Sequence, residues 1–115
     1  AKVSYRYMRQ LLFFDLPSQT EEERRAYRKF RRFLISDGWL MLQFSVYSKL
    51  TLNNTQALTI KNRVLKNKPK EGDIIILKVT EKQFAGMDYI LGTSVQSVAS
   101  SDARVVFLGG KNDYL

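Results

Sequence analysis

Asp15 is the carboxylate of this sequence whose position most suggests catalysis. It follows the apolar residues 11–14 and precedes Leu16-Pro17, so it lies where a buried strand ends. If a two-fold axis brought Asp15 near its copy, the two carboxylates could bind one or two Mg²⁺ ions and activate water against a phosphodiester. The alternative is that Asp15 only hydrogen-bonds the backbone of the turn at Leu16-Pro17, which is the simpler explanation from the residues alone.

Groups that could assist Asp15 are sparse. The sequence has no histidine and no cysteine, which removes the commonest general base, thiolate nucleophiles and zinc sites built on sulfur. Four further aspartates each adjoin a turn signal and are explained as cap or turn residues: Asp37, Asp73, Asp88 and Asp102. Any enzyme of this sequence must therefore work with carboxylates, hydroxyls, lysine or a hard metal such as magnesium.

A second cluster with chemical meaning is a run of basic residues that a helix would gather on one face. With successive residues about 100° apart, the exposed arc is filled by Arg24, Arg25, Arg28, Lys29, Arg31 and Arg32. The apolar residues of the same segment, from Ala26 to Leu34, fall on the opposite arc. Like charges crowded in this way repel one another, and the arginine excess suits phosphate geometry. We predict a nucleic-acid-binding surface, the alternative being an ordinary solvated helix face.

Composition agrees with a polyanion as partner. Nineteen Lys and Arg against eleven Asp and Glu give a net charge of +8 and a pI near 9.9, which is typical of nucleic-acid binders. No motif that reads bases is present, so we expect binding to the backbone that depends strongly on salt. There is no apolar stretch of membrane-spanning length and no secretory signal, and we therefore expect a cytoplasmic protein that does not associate with membranes.

The elements that must position these residues begin with a strand ending at Asp15. Thr20 and Glu23 form a capping-box pattern that predicts a helix ending near Ser36, before Gly38. Residues 39–50 alternate in polarity and predict one long strand or two consecutive strands. A second helix begins near residues 53–55 and ends before residue 68, with a buried stripe made of Ala57, Leu58, Ile60, Val64 and Leu65.

The remaining segments complete an α+β pattern. Residues 74–79 predict a strand that is apolar on both faces, and residues 80–83 a second capping box that opens a short helix. Residues 88–91 and 104–108 are predicted strands, and residues 93–101 a loop. We predict one ferredoxin-like split βαβ domain over residues 1–115, with 93–115 as loop and C-terminal strand or tail. Because its central strands are apolar on both faces, a second copy should cover the sheet in a face-to-face homodimer.

Three motifs resemble the CRISPR-associated Cas-two (Cas2) family. Residues 11–17, Leu-Leu-Phe-Phe-Asp-Leu-Pro, resemble the family's opening strand with its aspartate. Residues 43–47, Gln-Phe-Ser-Val-Tyr, look like its glutamine, x, serine, valine, aromatic signature, and residues 80–84, Thr-Glu-Lys-Gln-Phe, like its later turn. The C-terminal strand also has a counterpart in the forms found with type II-A systems.

The resemblance implies a role in CRISPR spacer acquisition, a form of antiviral defence. It implies a ferredoxin-like homodimer that bridges two dimers of a Cas-one integrase while protospacer duplex DNA lies across it. By the same resemblance Asp15 matches the family's Mg²⁺-binding, catalytic aspartate, and many members are described as metal-dependent endonucleases acting on RNA or DNA. The resemblance also implies that spacer acquisition needs no cleavage by this subunit, and it makes residues 103–108 a candidate for strand addition to another chain.

Three functions therefore remain open from the sequence. The first is a scaffold that binds duplex DNA, and the second is an active magnesium-dependent nuclease that uses Asp15 on nucleic acid such as single-stranded RNA. The third is an unrelated ferredoxin-like RNA-binding or regulatory module without catalysis.

Overall fold

The computed structural model describes residues 7–92, and within them the chain forms one four-stranded antiparallel sheet with helices. The elements are β1 (Met8–Asp15), α1 (Glu21–Ser36), β2 (Leu40–Gln43), β3 (Val46–Thr51), α2 (Asn54–Asn67), β4 (Asp73–Thr80) and α3 (Glu81–Ala85). The strand order is β2-β3-β1-β4, which confirms the predicted α+β, ferredoxin-like pattern. No helix in residues 7–92 is long and apolar enough to cross a membrane.

The core lies between one face of the sheet and the helices α1 and α2. Leu12 and Phe14 of β1 point into it, since alternate residues of a strand share a face. It is completed by Tyr47 of β3, Phe30 and Leu34 of α1, Ile60 and Val64 of α2, and Leu16 and Trp39 of the connections. Both helices therefore cover the same face of the sheet.

Both long helices begin at the residues that the sequence singles out. Thr20 caps α1 in a capping box with Glu23, and Asn53 caps α2 by accepting a hydrogen bond from the amide of Gln56 at 2.8 Å. Gly38 follows α1 with φ of 93°, the left-handed region that glycine adopts without strain. These local signals fix where each helix enters the core.

A partly buried ion pair ties the end of α1 to α2. The Asp37 carboxylate, with a side chain 10% exposed, accepts hydrogen bonds from Nε of Arg63 at 2.7 Å and from the indole of Trp39 at 3.2 Å. The ammonium group of Lys49 donates to the Asp37 backbone carbonyl, which places a cation at the negative end of α1. Asp37 is thus a structural residue that joins helices.

The structure refines or corrects the sequence predictions for three segments. Residues 39–50 form two strands, β2 and β3, which pair across a turn at residues 44–45. Leu58 and Leu65 are not buried as predicted but are 57% and 50% exposed, since α2 turns only Ala57, Ile60 and Val64 into the core. The predicted strand at 88–91 is wrong, because no strand of the described chain pairs with it.

The predicted loop at 93–101 and strand at 104–108 lie outside the described residues.

The sheet face opposite the helices is apolar and only partly covered. Strand register places Phe13 beside Val46 on one side and Ile75 on the other, and Leu11 beside Leu77. Ile75 is 62% exposed and Leu77 50% exposed. At one corner α3 packs against this face, where Arg9 pairs with Glu81 at 2.9 Å and lies 4.5 Å from the centre of the Phe84 ring.

Candidate nucleic-acid interface and the carboxylate at the end of β1

The capping box at the start of α1 holds the cationic helix in place. Glu23 donates its amide to the Thr20 hydroxyl at 3.1 Å, and its carboxylate accepts from the amides of Gln19 and Thr20 at 2.8 and 2.9 Å. These backbone hydrogen bonds lower the pKa of Glu23, because they favour its charged form. The negative charge of Glu23 is therefore engaged by the helix N-terminus.

We define the cationic face of α1 as the six basic residues predicted from the sequence, and the structure brings all six to one side of the helix. Arg24, Arg25, Lys29 and Arg32 are exposed, while Arg28 and Arg31 are half-buried. The apolar stripe on the other side packs into the core through Phe30 and Leu34. The predicted division of the helix into one core arc and one basic arc is thus present.

Two of the six cations are paired within the helix. Glu21 accepts from Arg24 at 3.4 Å and from Arg28 at 3.3 Å, and the bond from Arg28, followed by that from Arg24, lowers the pKa of Glu21. Because both pairs are exposed, they hold the arginines only weakly. The other four cations of this face have no ion pair within residues 7–92: Arg25, Lys29, Arg31 and Arg32.

Other basic residues contribute less to this surface. Lys66, Lys68 and Lys70 line a cleft of about 590 Å³ beside Lys29, but the cleft also contains three glutamates. Arg63 is engaged by Asp37. The cationic face of α1 is therefore the part of the described chain best suited to a polyanion.

Asp15 lies exposed at the end of β1, directly opposite Asp73 at the start of β4. Residues paired in this way have Cβ atoms about 4.5–5.5 Å apart. Gly72 permits the close approach of the chain here, since its φ is 114° and a methyl group on it would lie 2.9 Å from the Asp15 carbonyl oxygen. Two aspartates are thus paired at one corner of the sheet.

The described residues contain no larger group of metal-ligating side chains. Within 7–92 no three of Asp, Glu, His or Cys lie close enough together to hold a metal ion. Of the other aspartates considered from the sequence, Asp37 is bound to Arg63 and Asp102 lies outside the described residues. Asp73 could have been anticipated as a neighbour of Asp15, because the end of β1 and the start of β4 meet in the split βαβ pattern.

The comparison with known families decides the identity. Residues 8–87 match the family model described as CRISPR associated protein Cas2. The chain belongs to the Cas2 family. This confirms the resemblance of the three sequence motifs, and the Cas2 match contains Asp15, Asp73 and the entire cationic face of α1.

Individual Cas2 relatives match over nearly their whole length. A protein of Streptococcus mutans named CRISPR-associated endoribonuclease Cas2 is 57% identical over 102 residues, covering 89% of this chain and 94% of the relative. A protein of the same name from Treponema denticola is 48% identical over 101 residues, covering 88% of this chain and 100% of the relative.

A solved Cas2 structure has the same fold. The crystal structure of Streptococcus pyogenes Cas2 at pH 6.5 matches with a TM-score of 0.57 and 20% sequence identity, covering 73% of this chain and 99% of that chain. At this identity the likeness supports the fold and carries no residue roles.

Proposed function

We propose that this Cas2 protein is the nucleic-acid-binding scaffold of a CRISPR adaptation complex, in which it bridges Cas-one integrase dimers and holds protospacer duplex DNA. The observation that carries the proposal is the cationic face of α1, of which four members have no carboxylate partner within residues 7–92. Unpaired cations in this density destabilise a helix unless a polyanion neutralises them.

The dimensions of the cationic face suit a duplex backbone. The cationic face extends from Arg24 to Arg32, about 12 Å along the helix axis, and duplex DNA carries one phosphate charge per about 1.7 Å of its axis. The face therefore runs alongside several phosphates of each strand. No recognition element for bases accompanies it in the sequence, so binding should be largely independent of DNA sequence.

The working form that we propose is a homodimer packed through the sheet face opposite the helices. Ile75, Leu77, Leu40 and Leu50 on this face are between 37% and 62% exposed, and Phe13 lies among them through its register with Val46 and Ile75. An apolar surface of this kind is typical of an interface. A second copy has the same surface and is therefore self-complementary to it.

Nuclease activity is the second candidate function, supported by the name endoribonuclease that the relatives carry and by the approach of Asp15 to Asp73. Mg²⁺ is bound by one or two carboxylates together with water and substrate phosphate, so the donor set at this corner fits it. We propose that Asp15, assisted by Asp73, would hold the ion, which when bound supplies Lewis acidity toward a phosphodiester.

Charge reversal on α1 tests the scaffold function. Arg25→Glu combined with Arg32→Glu reverses two unpaired cations, and Lys61→Glu combined with Lys82→Glu makes the same change in net charge away from α1. We expect the first pair to abolish duplex binding in fluorescence anisotropy and the second to weaken it only slightly. Equal losses for both pairs would show that net charge, rather than this face, attracts DNA, and the proposal would be wrong.

Two further measurements separate the candidate functions. Cleavage of single-stranded RNA and of duplex DNA is assayed with Mg²⁺, with EDTA and with Asp15→Asn. Loss of cleavage in the variant with binding retained supports the nuclease, whereas binding without cleavage in both proteins supports the scaffold alone. Co-elution with the Cas-one integrase of the same locus supports the bridging role, and its absence would contradict that role.

A further inference from the structure

Arg31 differs from the other cations of the α1 face in its surroundings. Its side chain is half-buried at the margin of the face, and its Nε atom is buried without a hydrogen-bond partner. Neither Nη atom is buried in this way, and no carboxylate within residues 7–92 pairs with either of them. The Nε edge of the guanidinium is thus enclosed, while its two Nη groups remain available to bind a ligand.

Tyr47 is the neighbour of Arg31 on the sheet side. It is fully buried, and its ring stacks on Phe14 with ring centres 5.9 Å apart. Arg31 lies within hydrogen-bonding reach of its hydroxyl, but neither the Tyr47 hydroxyl nor the Arg31 Nε takes part in a well-formed hydrogen bond. Burial raises the pKa of Tyr47, and the nearby charge of Arg31 opposes that rise, so the phenol stays protonated and neutral at physiological pH.

The two unpartnered atoms are chemically complementary. The Nε–H of arginine can only donate a hydrogen bond, whereas a phenol oxygen can accept one. Leaving both buried and unpaired is unfavourable, and a single hydrogen bond between them would satisfy both. Such a bond would fix the plane of the guanidinium, and both Nη groups would be left to form a bidentate contact with a phosphate.

We propose that Tyr47 is a positioning residue for nucleic-acid binding, whose hydroxyl accepts the hydrogen bond from Nε of Arg31 when the Nη groups bind a backbone phosphate. This inference rests on the proposed function. It gives a role to Tyr47, the tyrosine of the 43–47 motif, although Tyr47 does not touch the ligand. It also requires arginine rather than lysine at position 31, because lysine carries all its donors on one nitrogen and cannot contact the sheet and a phosphate through separate groups.

A double-mutant cycle on duplex affinity tests the inference. Tyr47→Phe keeps the buried ring and removes only the hydroxyl, and we expect it to weaken binding about ten-fold, the lower end of the effect of losing one hydrogen bond to a charged group. In an Arg31→Gln background the same change should have no further effect. In a matched Arg32→Gln background it should retain its full effect, because Arg32 is exposed and is not among the groups that act on Tyr47.

Arg31→Lys provides a second, independent variant. It keeps the charge, so the salt dependence of binding should change little, but affinity should fall and become insensitive to Tyr47→Phe. A general loosening of the fold would instead weaken binding by the same factor in every background. Thermal unfolding of each variant checks that the domain is intact.

The possible outcomes separate this inference from the proposed function. Equal effects of Tyr47→Phe in the Arg31→Gln and Arg32→Gln backgrounds, or no effect of Tyr47→Phe in the otherwise wild-type protein, would overturn it while DNA binding by α1 stands. If the Arg25→Glu and Arg32→Glu pair leaves binding unchanged, the proposed function fails and the inference fails with it.

Discussion

Glu21 limits how strongly the α1 face can bind DNA, and removing its charge should strengthen binding. Its carboxylate accepts from Arg24 at 3.4 Å and from Arg28 at 3.3 Å, so a phosphate must displace it to reach either arginine. The three side chains are 61%, 46% and 37% exposed in the order Glu21, Arg24, Arg28. We therefore predict that Glu21→Gln increases duplex affinity.

The size of the effect follows from the exposure of the two pairs. An exposed ion pair changes an equilibrium by a factor between about one and five. Since Arg24 and Arg28 share one carboxylate, the two factors do not simply multiply. The charge of Glu21 also repels phosphates that lie within a Debye length, about 8 Å at physiological salt. We expect binding about five-fold tighter at 0.15 M salt, with the gain disappearing near 1 M.

Glu22→Gln is the matched control. It removes the same charge from the same first turn of α1, so its effects on net charge and on the helix N-terminus match those of Glu21→Gln. Glu22, however, has no ion pair within residues 7–92. Duplex affinity is measured by anisotropy titration at several salt concentrations. For Glu21→Gln, the slope of log K against the logarithm of the salt concentration should be steeper than for the unchanged protein. The difference should be up to about 0.9 for each arginine that the substitution frees to bind a phosphate. Equal gains for both variants would refute the reasoning.

Three further predictions concern stability, each measured by urea unfolding at a fixed protein concentration. Asp37→Asn should lower the free energy of unfolding by about 2 kcal/mol, because the largely buried carboxylate that pairs with Arg63 loses its charge; a change near zero would contradict this. Gly72→Ala should cost about 2 kcal/mol, since φ is 114° and the new methyl group meets the Asp15 carbonyl; an unchanged midpoint would show that the turn relaxes. The pKa of Glu23 is lowered from 4.5, so its stabilisation is present above pH 4.5 and lost as pH falls through the depressed value; Glu23→Gln should reduce this acid dependence, and an identical pH profile would contradict it.

Local signals made α1 predictable almost to the residue. The capping box at Thr20 and Glu23, the 3.6-residue period of its apolar stripe and the glycine after its end are all properties of neighbouring residues. The same holds for the cap of α2 and the short α3. These signals need no knowledge of distant parts of the chain.

Features that depend on contacts between residues far apart in the sequence were harder to predict. The alternation of residues 39–50 continues through the turn between β2 and β3, which contains no glycine or proline, so the sequence left one strand or two open. Leu58 and Leu65 lie beside the buried stripe of α2, and only the position of β4 decides that they remain exposed around a groove of about 440 Å³. Periodicity alone does not separate a buried stripe from the apolar residues at its margin.

The candidate site was predicted in part for the same reason. The cationic face is a property of one helix, and the sequence placed all six members on one side. Asp37 was explained as a turn residue because Arg63, its partner, is 26 positions away. The burial of Arg31 against Tyr47 likewise depends on how α1 lies on β3, which no local pattern encodes.

The two surfaces that carry the proposals lie on opposite sides of the sheet, and this separates their functions. The cationic face belongs to the helix layer, whereas Phe13, Ile75 and Leu77 face away from it. If a second copy covers the apolar face, both α1 helices remain on the outside of the dimer. Duplex binding and dimerisation then do not compete for surface, and the two cationic faces can act on one polyanion together, so that dimerisation raises the affinity without any new contact.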